Sequence, residues 1–189
     1  MHINLYIYIC MYVEQQKISP FSPFKDEALG QKKPRKSLSH LPPSDAIVVH
    51  LRLGDDVERL WRRTDIWDGK DHRKVKNKAY FETAVEEFPK KVKTIIIVGS
   101  FVHRNYFSDS KGSEWYTAKV VEFFRARGLV VVQRLSSLPV DDFVYMASAR
   151  TILPTGGGYG DQASRCVDRL NGTTIDILGG PRSQRPSYD

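Results

Sequence analysis

Three short runs of β-branched residues do most to limit what this chain can fold into. They span residues 46–53 (AIVVHLRL), 94–101 (TIIIVGSF) and 129–135 (LVVVQRL). Valine and isoleucine stand side by side in each run, and residues 95–98 form an unbroken apolar stretch. Strands of this kind are buried on both faces, as in a parallel sheet that is covered by helices on each side. We therefore expect a mostly parallel sheet between two layers of helices.

Segments with helical periodicity separate the apolar runs. The first three are AYFETAVEEF, EWYTAKVVEFFRARG and DDFVYMASA, and DQASRCVDRLNG lies between two further short runs, RTILP and TTIDIL. The predicted order is β-α-β-α-β-α-β-α-β, which favours an α/β fold and a Rossmann-like three-layer domain. In such a sheet the ligand binds at the carboxyl ends of the strands. The loops after Leu53, Phe101, Leu135 and Pro154 are therefore the first places to look for chemistry.

A change in composition at Asp45 predicts the domain boundary. Residues 14–44 are rich in proline and serine and show no sustained periodicity, as in a linker or a disordered arm. A basic cluster at residues 32–36 is either part of a solvated tail or a contact for an anionic surface. We predict a strand-like segment followed by this arm over 1–44, one domain over 45–180 and a tail over 181–189.

The composition excludes several classes of protein. The formal net charge of +7 permits a phosphate-bearing ligand, but the charges are too few and too dispersed to indicate nucleic acid. The longest apolar run, residues 3–13, is about half as long as the ~20 residues that a membrane-spanning helix needs, so we expect no membrane span. The two cysteines cannot build a disulfide scaffold or a zinc site with four thiolates.

The end of the first apolar run carries two side chains that suit an anion. His50 and Arg52 are two residues apart, so a strand places them on one face. The planar fork of arginine donates two parallel hydrogen bonds to phosphate and keeps its charge. The sequence leaves a second interpretation open, in which Arg52 pairs with Asp55 or Asp56 and stabilises the turn.

A glycine-rich loop follows the fourth predicted strand, in TILPTGGGYGDQAS. Glycine there permits positive φ and close backbone approach, and the N-terminus of the next helix offers free N–H groups to an anion. The loop matches neither G-x-G-x-x-G nor the P-loop, and a flexible turn is the other interpretation. If this loop and the His50–Arg52 strand end both bind anions, the ligand is a diphosphate held between them.

Motifs for metal or nucleophilic chemistry are absent from the sequence. It contains no Asp-x-Asp pair, no H-E-x-x-H, no C-x-x-C and no G-x-S-x-G. We therefore expect no metal ion, and arginine and backbone dipoles would neutralise the phosphates.

HLRLGD, DDFVYMASA and TGGG, in this order, resemble the fucosyltransferase superfamily, the α1,2-, α1,6- and protein O-fucosyltransferase type with its H-x-R-x-G-D signature. Enzymes of this family have two Rossmann-like halves, the GT-B arrangement, and use GDP-fucose without a metal. The resemblance covers about residues 45–180 and implies that they form the carboxyl-terminal half, which binds the GDP-fucose donor. It also implies inverting transfer of fucose to a hydroxyl of a glycan or protein acceptor, in the Golgi or secretory pathway.

The resemblance assigns roles to individual residues. Arg52 corresponds to the arginine that grips the β-phosphate, and His50 to the histidine beside it, so these two are the catalytic candidates. Asp142 corresponds to the acidic residue that receives the guanine edge.

The remaining assignments concern loops. Thr155 and Gly156, Gly157 and Gly158 lie where the family has small hydroxylated residues against the phosphates, so backbone N–H groups would supply those bonds here. Gly54 and Asp55 match the signature turn, either as ligand contacts or as structural residues.

The acceptor side is less defined by the sequence. Four acidic residues are candidates for the general base, and none matches the family by spacing: Asp56, Glu58, Asp65 and Asp68. The segment 57–78, with its two tryptophans, is either an acceptor-side flap or a solvated insertion whose tryptophans pack on the sheet.

The residues before Asp45 are too few for an acceptor-binding half. Three hypotheses follow: a fucosyltransferase-like enzyme or its donor half, with a missing acceptor domain; an inactive nucleotide-sugar-binding domain or truncated fragment; and an interaction protein that uses the basic arm at residues 31–36.

Overall fold

The computed structural model describes residues 41–72, 74–101, 110–135 and 138–177. The strands of this part are β1 (Ala46–His50), β2 (Thr94–Gly99), β3 (Val130–Leu135), β4 (Thr151–Pro154) and β5 (Thr173–Thr174). The helices are α1 (Asp55–Trp61), α2 (Lys78–Glu86), α3 (Lys111–Arg125), α4 (Pro139–Ala147) and α5 (Gly158–Arg169). The predicted alternation of strands and helices is confirmed, with α1 as an additional helix.

The five strands form one sheet in the order β3-β2-β1-β4-β5, and every neighbouring pair is parallel. The predicted Rossmann-like α/β architecture is confirmed. Strands β2 and β3 lie on one side of the β1–β4 pair and β5 lies on the other side. The connections that follow β1 and β4 therefore lead in opposite directions along the sheet. Such a switch point opens a crevice at the carboxyl ends of the strands.

Each face of the sheet has its own apolar core, which explains the unbroken apolar runs. Ile47, Val49 and Ile97 are fully buried on the face that packs against α1, α2 and α3. Val48 and Ile96 are buried on the other face, against α4 and α5. Adjacent residues of a strand point to opposite faces, so both had to be apolar.

Strand β3 departs from this expectation. It lies at the edge of the sheet, and Val130 and Val132 are 60% and 48% exposed. The core beneath α4 and α5 includes residues of β1, β2 and β4 but none of β3. The prediction that the third run is buried on both faces is therefore wrong, because one of its faces extends beyond these helices.

The charged segment after β1 is folded onto the core. Its first residues form α1, and Ile66, Trp67 and Val75 are buried. The Trp67 ring stacks on Phe81 at 5.9 Å and meets the edge of Tyr116 at 6.3 Å. This matches the interpretation in which tryptophan packs in the domain, and it leaves Trp67 without an open face for a sugar.

Other sequence predictions fall partly outside the described residues. Of the arm predicted over 1–44 only residues 41–44 are described, and the tail over 181–189 and the basic residues 31–36 are not. No helix in the described ranges is long and apolar enough to cross a membrane.

Candidate functional site

A cleft of about 530 Å³ lies at the carboxyl ends of β1, β2 and β4, at the switch point of the sheet. It is lined by Leu51, Leu53, Val98, Gly99, Ser100 and Pro139, together with the polar and glycine residues His50, Arg52, Lys74, Asp142, Gly156, Gly157, Gly158 and Tyr159. The strand end and the glycine loop that the sequence singled out therefore meet in one cavity. A larger cavity of about 680 Å³ lies between α3 and β3 and contains none of the predicted site residues.

Thr155 joins the end of β1 to the glycine loop beneath the cleft. Its backbone N–H and its hydroxyl both donate to the carbonyl oxygen of His50, at 3.2 and 2.9 Å. The N–H of Arg52 donates to the same hydroxyl at 3.2 Å. The side chain is fully buried and is not among the residues that line the cleft. Thr155, which was predicted to contact the ligand, therefore lies beneath the cleft surface.

Replacing Thr155 with valine keeps the shape but removes both hydroxyl bonds. We expect the free energy of unfolding to fall by about 2 kcal/mol, because the part-buried N–H of Arg52 loses its acceptor and the fully buried hydroxyl bond to His50 is lost. Urea unfolding measures the change, and Thr83→Val, at an exposed hydroxyl that donates to Ala79, is the matched control. Equal losses in the two variants would show that the bridge contributes nothing.

Arg52 is held by the first turn of α1. Its Nε donates to Asp56 Oδ2 at 2.7 Å and its Nη2 to Asp55 Oδ1 at 2.9 Å. The turn-stabilising pairing that the sequence left open is therefore present. The same guanidinium also lines the cleft, with 20% of the side chain exposed, so the two carboxylates hold a cation in the cleft wall.

Asp56 accepts hydrogen bonds from three basic side chains. Besides Arg52, it accepts from Arg59 Nη2 and Lys74 Nζ, each at 3.3 Å. Burial of the carboxyl opposes its ionisation, but the hydrogen bond and charge of Arg52 and the charge of Lys74 outweigh burial and lower the pKa of Asp56. Asp56 is thus an ionised anchor for cations. Lys74, which lines the cleft, was not predicted, because nothing distinguishes it among the charges of its segment.

Gly54 and Asp55 have structural positions. Gly54 adopts φ 74°, which favours glycine, and its N–H donates to Ser113 Oγ at 2.9 Å. Neither residue is among those that line the cleft. The structural role that the sequence allowed for them is the one that the geometry supports.

Glu58 is buried away from the cleft. Its carboxylate accepts from the N–H groups of Gly112, at 3.0 Å, and Ser113, at 2.7 Å, in the first turn of α3. An anion at a helix N-terminus is favourable, so Glu58 serves as a cap provided by another helix.

The other base candidates lie elsewhere too. The carboxylate of Asp65 accepts from the N–H groups of Trp67 and Asp68 in a local turn, and Asp68 is exposed. Neither lines the cleft. Among the lining residues that the structure describes, the one carboxylate is Asp142.

Asp142 lies in the first turn of α4 and is 4% exposed. Its Oδ1 accepts from Arg134 Nε at 3.0 Å, and the guanidinium of Arg134 lies over the Tyr145 ring at 4.6 Å. The residue that was predicted to contact the guanine ring is therefore in the cleft, and its charge is paired with that of Arg134.

The glycine loop has the geometry that its residues suggest. Gly156 and Gly157 have φ values of 113° and 87°, and α5 begins at Gly158. Residues other than glycine rarely adopt such φ values. The loop therefore brings the N-terminus of α5, with its partial positive charge, to the wall of the cleft.

Tyr159 is a lining residue that sequence reasoning missed. Its ring lies 5.7 Å from His50 and 5.5 Å from Phe143, and its hydroxyl donates to the carbonyl oxygen of Pro139. Burial raises the pKa of Tyr159, and the nearby charge of Asp142 raises it further. Its position between two glycines carries no sequence signal for this role.

His50 is an uncharged member of the site. The ring is 6% exposed, and its Nδ1 is buried without a hydrogen-bond partner. Burial, with a smaller contribution from the charge of Arg52, lowers the pKa of His50 to about 4. At neutral pH the positive charge in the cleft therefore comes from Arg52, Lys74 and the N-terminus of α5.

No protein-family model matches this chain, and no curated protein matches it. Within the described ranges, no group of three or more His, Cys, Asp or Glu side chains could hold a metal ion.

Proposed function

We propose that the chain binds a nucleotide-sugar, with GDP-fucose as the first candidate, and that it is the donor-binding half of a fucosyltransferase-like enzyme. The observation that carries the proposal is the meeting of His50 and Arg52 with Gly156, Gly157 and Gly158 in one cleft at the switch point. A volume of about 530 Å³ is within the usual range for a small-molecule site.

The charges of the cleft suit a diphosphate. The N-terminal amides of α5 would bind one phosphate, and the Arg52 guanidinium and Lys74 ammonium would face the other. Because Arg52 is already bound to Asp55 and Asp56, it would act as a cation held in place before the ligand arrives.

The same groups would assist transfer. An acceptor hydroxyl would attack the anomeric carbon with inversion while GDP departs, and negative charge would grow on the β-phosphate. Arg52 and the α5 amides would stabilise that charge, which is usually the largest contribution to catalysis. Lys74 would add to the positive potential.

Binding without transfer is the second candidate function. It is supported by the lining residues in the described part of the chain, because their one carboxylate, Asp142, is bonded to Arg134 and is not placed as a general base. A partner or further domain would then have to supply the group that deprotonates the acceptor.

Thermal unfolding of the full chain with GDP-fucose, GDP, UDP and ADP tests the proposal. A ligand at 100 times its Kd stabilises the folded state by about 2.7 kcal/mol, and we expect the guanosine ligands to do so at the lowest concentrations. An assay for transfer of fucose from GDP-fucose to glycan or peptide acceptors distinguishes an active transferase from a protein that only binds the donor. Equal stabilisation by pyrophosphate alone and by all four nucleotides would indicate an unspecific anion site and overturn the proposal.

Arg52→Ala should weaken GDP-fucose binding about tenfold, the loss of one charged hydrogen-bonding group. Arg59→Ala is the matched control, because Arg59 also pairs with Asp56 but is exposed and lies outside the cleft. Isothermal titration calorimetry measures both. Equal affinities for wild type and Arg52→Ala would remove Arg52 from the binding site.

A further inference from the structure

His50 lies against the first turn of α5 in a defined orientation. A Cβ atom built on Gly160 would lie 2.6 Å from His50 Nδ1, 3.2 Å from Cε1 and 3.4 Å from Cγ. These three are the ring atoms nearest to that point, so Nε2 and Cδ2 lie on the far side of the ring from Gly160. Any side chain at position 160 would displace the imidazole, which is why glycine is needed there.

The surroundings of Nδ1 indicate which nitrogen carries the proton. Nδ1 is buried and has no hydrogen-bond partner, and the position that a Cβ atom would occupy on Gly160 lies against it, at 2.6 Å. A neutral imidazole has one N–H and one lone pair. A buried N–H without an acceptor is rarer in proteins than an acceptor with unused capacity, and a Cα–H group is at most a weak donor. The lone pair therefore belongs on Nδ1 and the proton on Nε2.

We propose that Gly160 is a positioning residue that holds His50 as an uncharged imidazole with its proton on Nε2, so that His50 donates a hydrogen bond, and not a charge, to a ligand oxygen in the cleft. The part that concerns a ligand rests on the proposed function. The part that concerns the imidazole does not.

The charged and titratable groups around the ring agree with an uncharged state. The Arg52 guanidinium, from the end of β1, repels an imidazolium, and Tyr159 of α5 covers part of the ring. From α4, Asp142 is the acidic lining residue, and its charge is paired with Arg134. Lys74 adds a second cation to the lining, so protonation of His50 would place a third positive side chain in the cleft.

Nitrogen-15 NMR of the full chain with labelled histidine tests the proposal without a ligand. The His50 signals are assigned by their loss in His50→Asn. We expect the neutral Nε2–H tautomer from about pH 8 down to about pH 5.5, a range in which an ordinary histidine becomes protonated. A proton on Nδ1, or protonation near the ordinary pKa of 6.5, would overturn the proposal.

Two glycine variants test the role of Gly160 by the same NMR measurement. Gly160→Ala should displace the ring and change the tautomer or the protonation of His50. Gly158→Ala, in the same turn but with no atom within 4 Å of the added Cβ, should leave the His50 signals as they are in the wild type. Unchanged signals in Gly160→Ala would contradict the positioning role. If that variant fails to fold, the wild-type spectrum still decides the tautomer.

Binding of GDP-fucose tests the hydrogen-bond role. This ligand is preferred to GDP because the terminal phosphate of GDP titrates near pH 6, whereas each phosphate of a nucleotide-sugar is substituted twice, by one ester and the shared anhydride bond, and has no second proton to lose. We expect a Kd that stays within about twofold between about pH 5.5 and about pH 8, since an uncharged donor takes up no proton. A Kd that decreases about tenfold for each unit by which the pH is lowered would mean that His50 binds in its charged form and would overturn the proposal. Absence of binding by every nucleotide would instead refute the proposed function.

Discussion

Replacing Glu58 with alanine should lower the free energy of unfolding by about 4 kcal/mol, because two buried N–H groups at the start of α3 lose a charged acceptor. The carboxylate is 1% exposed and bonds Gly112 and Ser113 at 3.0 and 2.7 Å. Urea unfolding at about pH 7 measures the loss, and two-state analysis suits a domain of this size.

Two variants separate the role of Glu58 from general effects. Glu58→Gln keeps one acceptor oxygen but turns an amide group toward the second N–H, so we expect about half of the loss. Glu114→Ala removes another carboxylate from the first turn of α3, an exposed one that accepts from Ser110, and should cost less than about 1 kcal/mol. If Glu58→Ala and Glu114→Ala cost the same, the buried cap is not what holds α1 to α3.

Stability should fall by about 3 kcal/mol between pH 6.5 and pH 4 because of His50 alone. The folded-state pKa of about 4 lies below the ordinary value of 6.5, so the unfolded chain binds a proton in this window that the folded chain does not. The contribution is complete above pH 6.5, is lost as the pH falls, and does not change further below about pH 4. Chemical unfolding at a series of pH values measures it.

The His50→Asn variant should lose this dependence between pH 6.5 and pH 4, because asparagine does not titrate. His72→Gln, in the loop before α2, shows how far the loss of another histidine changes the profile. The carboxyl of Asp56 contributes in the same direction but at lower pH, since its pKa is lowered from 3.8. Parallel pH profiles for wild type and His50→Asn would contradict the buried neutral state of His50.

The fold could be predicted where a strand is buried on both faces, because such a strand has an unbroken run of apolar residues. Unbroken valine and isoleucine runs identified β1 and β2 as interior strands. The same pattern misled for β3, because exposure of Val130 and Val132 depends on how far α4 and α5 reach across the sheet. Helix α1 was predicted as a loop, since its charges suggest solvent. It is held by a long-range contact, in which Glu58 of α1 caps the N-terminus of α3 through Gly112 and Ser113, 54 and 55 positions further along the chain.

The site was predictable where strand alternation and glycine geometry apply. His50, Arg52 and the three glycines were expected at one sheet edge, and they line one cleft. Whether Arg52 pairs with the acids of its own turn could not be decided, because one spacing suits both arrangements. The presence of Tyr159 and Lys74 in the cleft lining depends on how α4 packs beside Tyr159 and how the segment before α2 folds over the sheet. No local pattern in the sequence predicts either arrangement.

The hydroxyl of Thr155 has a consequence for how the cleft can adapt. By fastening the end of β1 to the start of the glycine loop at their base, it prevents the two walls from separating independently. Entry of a ligand would therefore cost little backbone entropy in this part of the cleft. A wall that is fixed before the ligand arrives favours affinity, because ordering the loop then costs little free energy on binding.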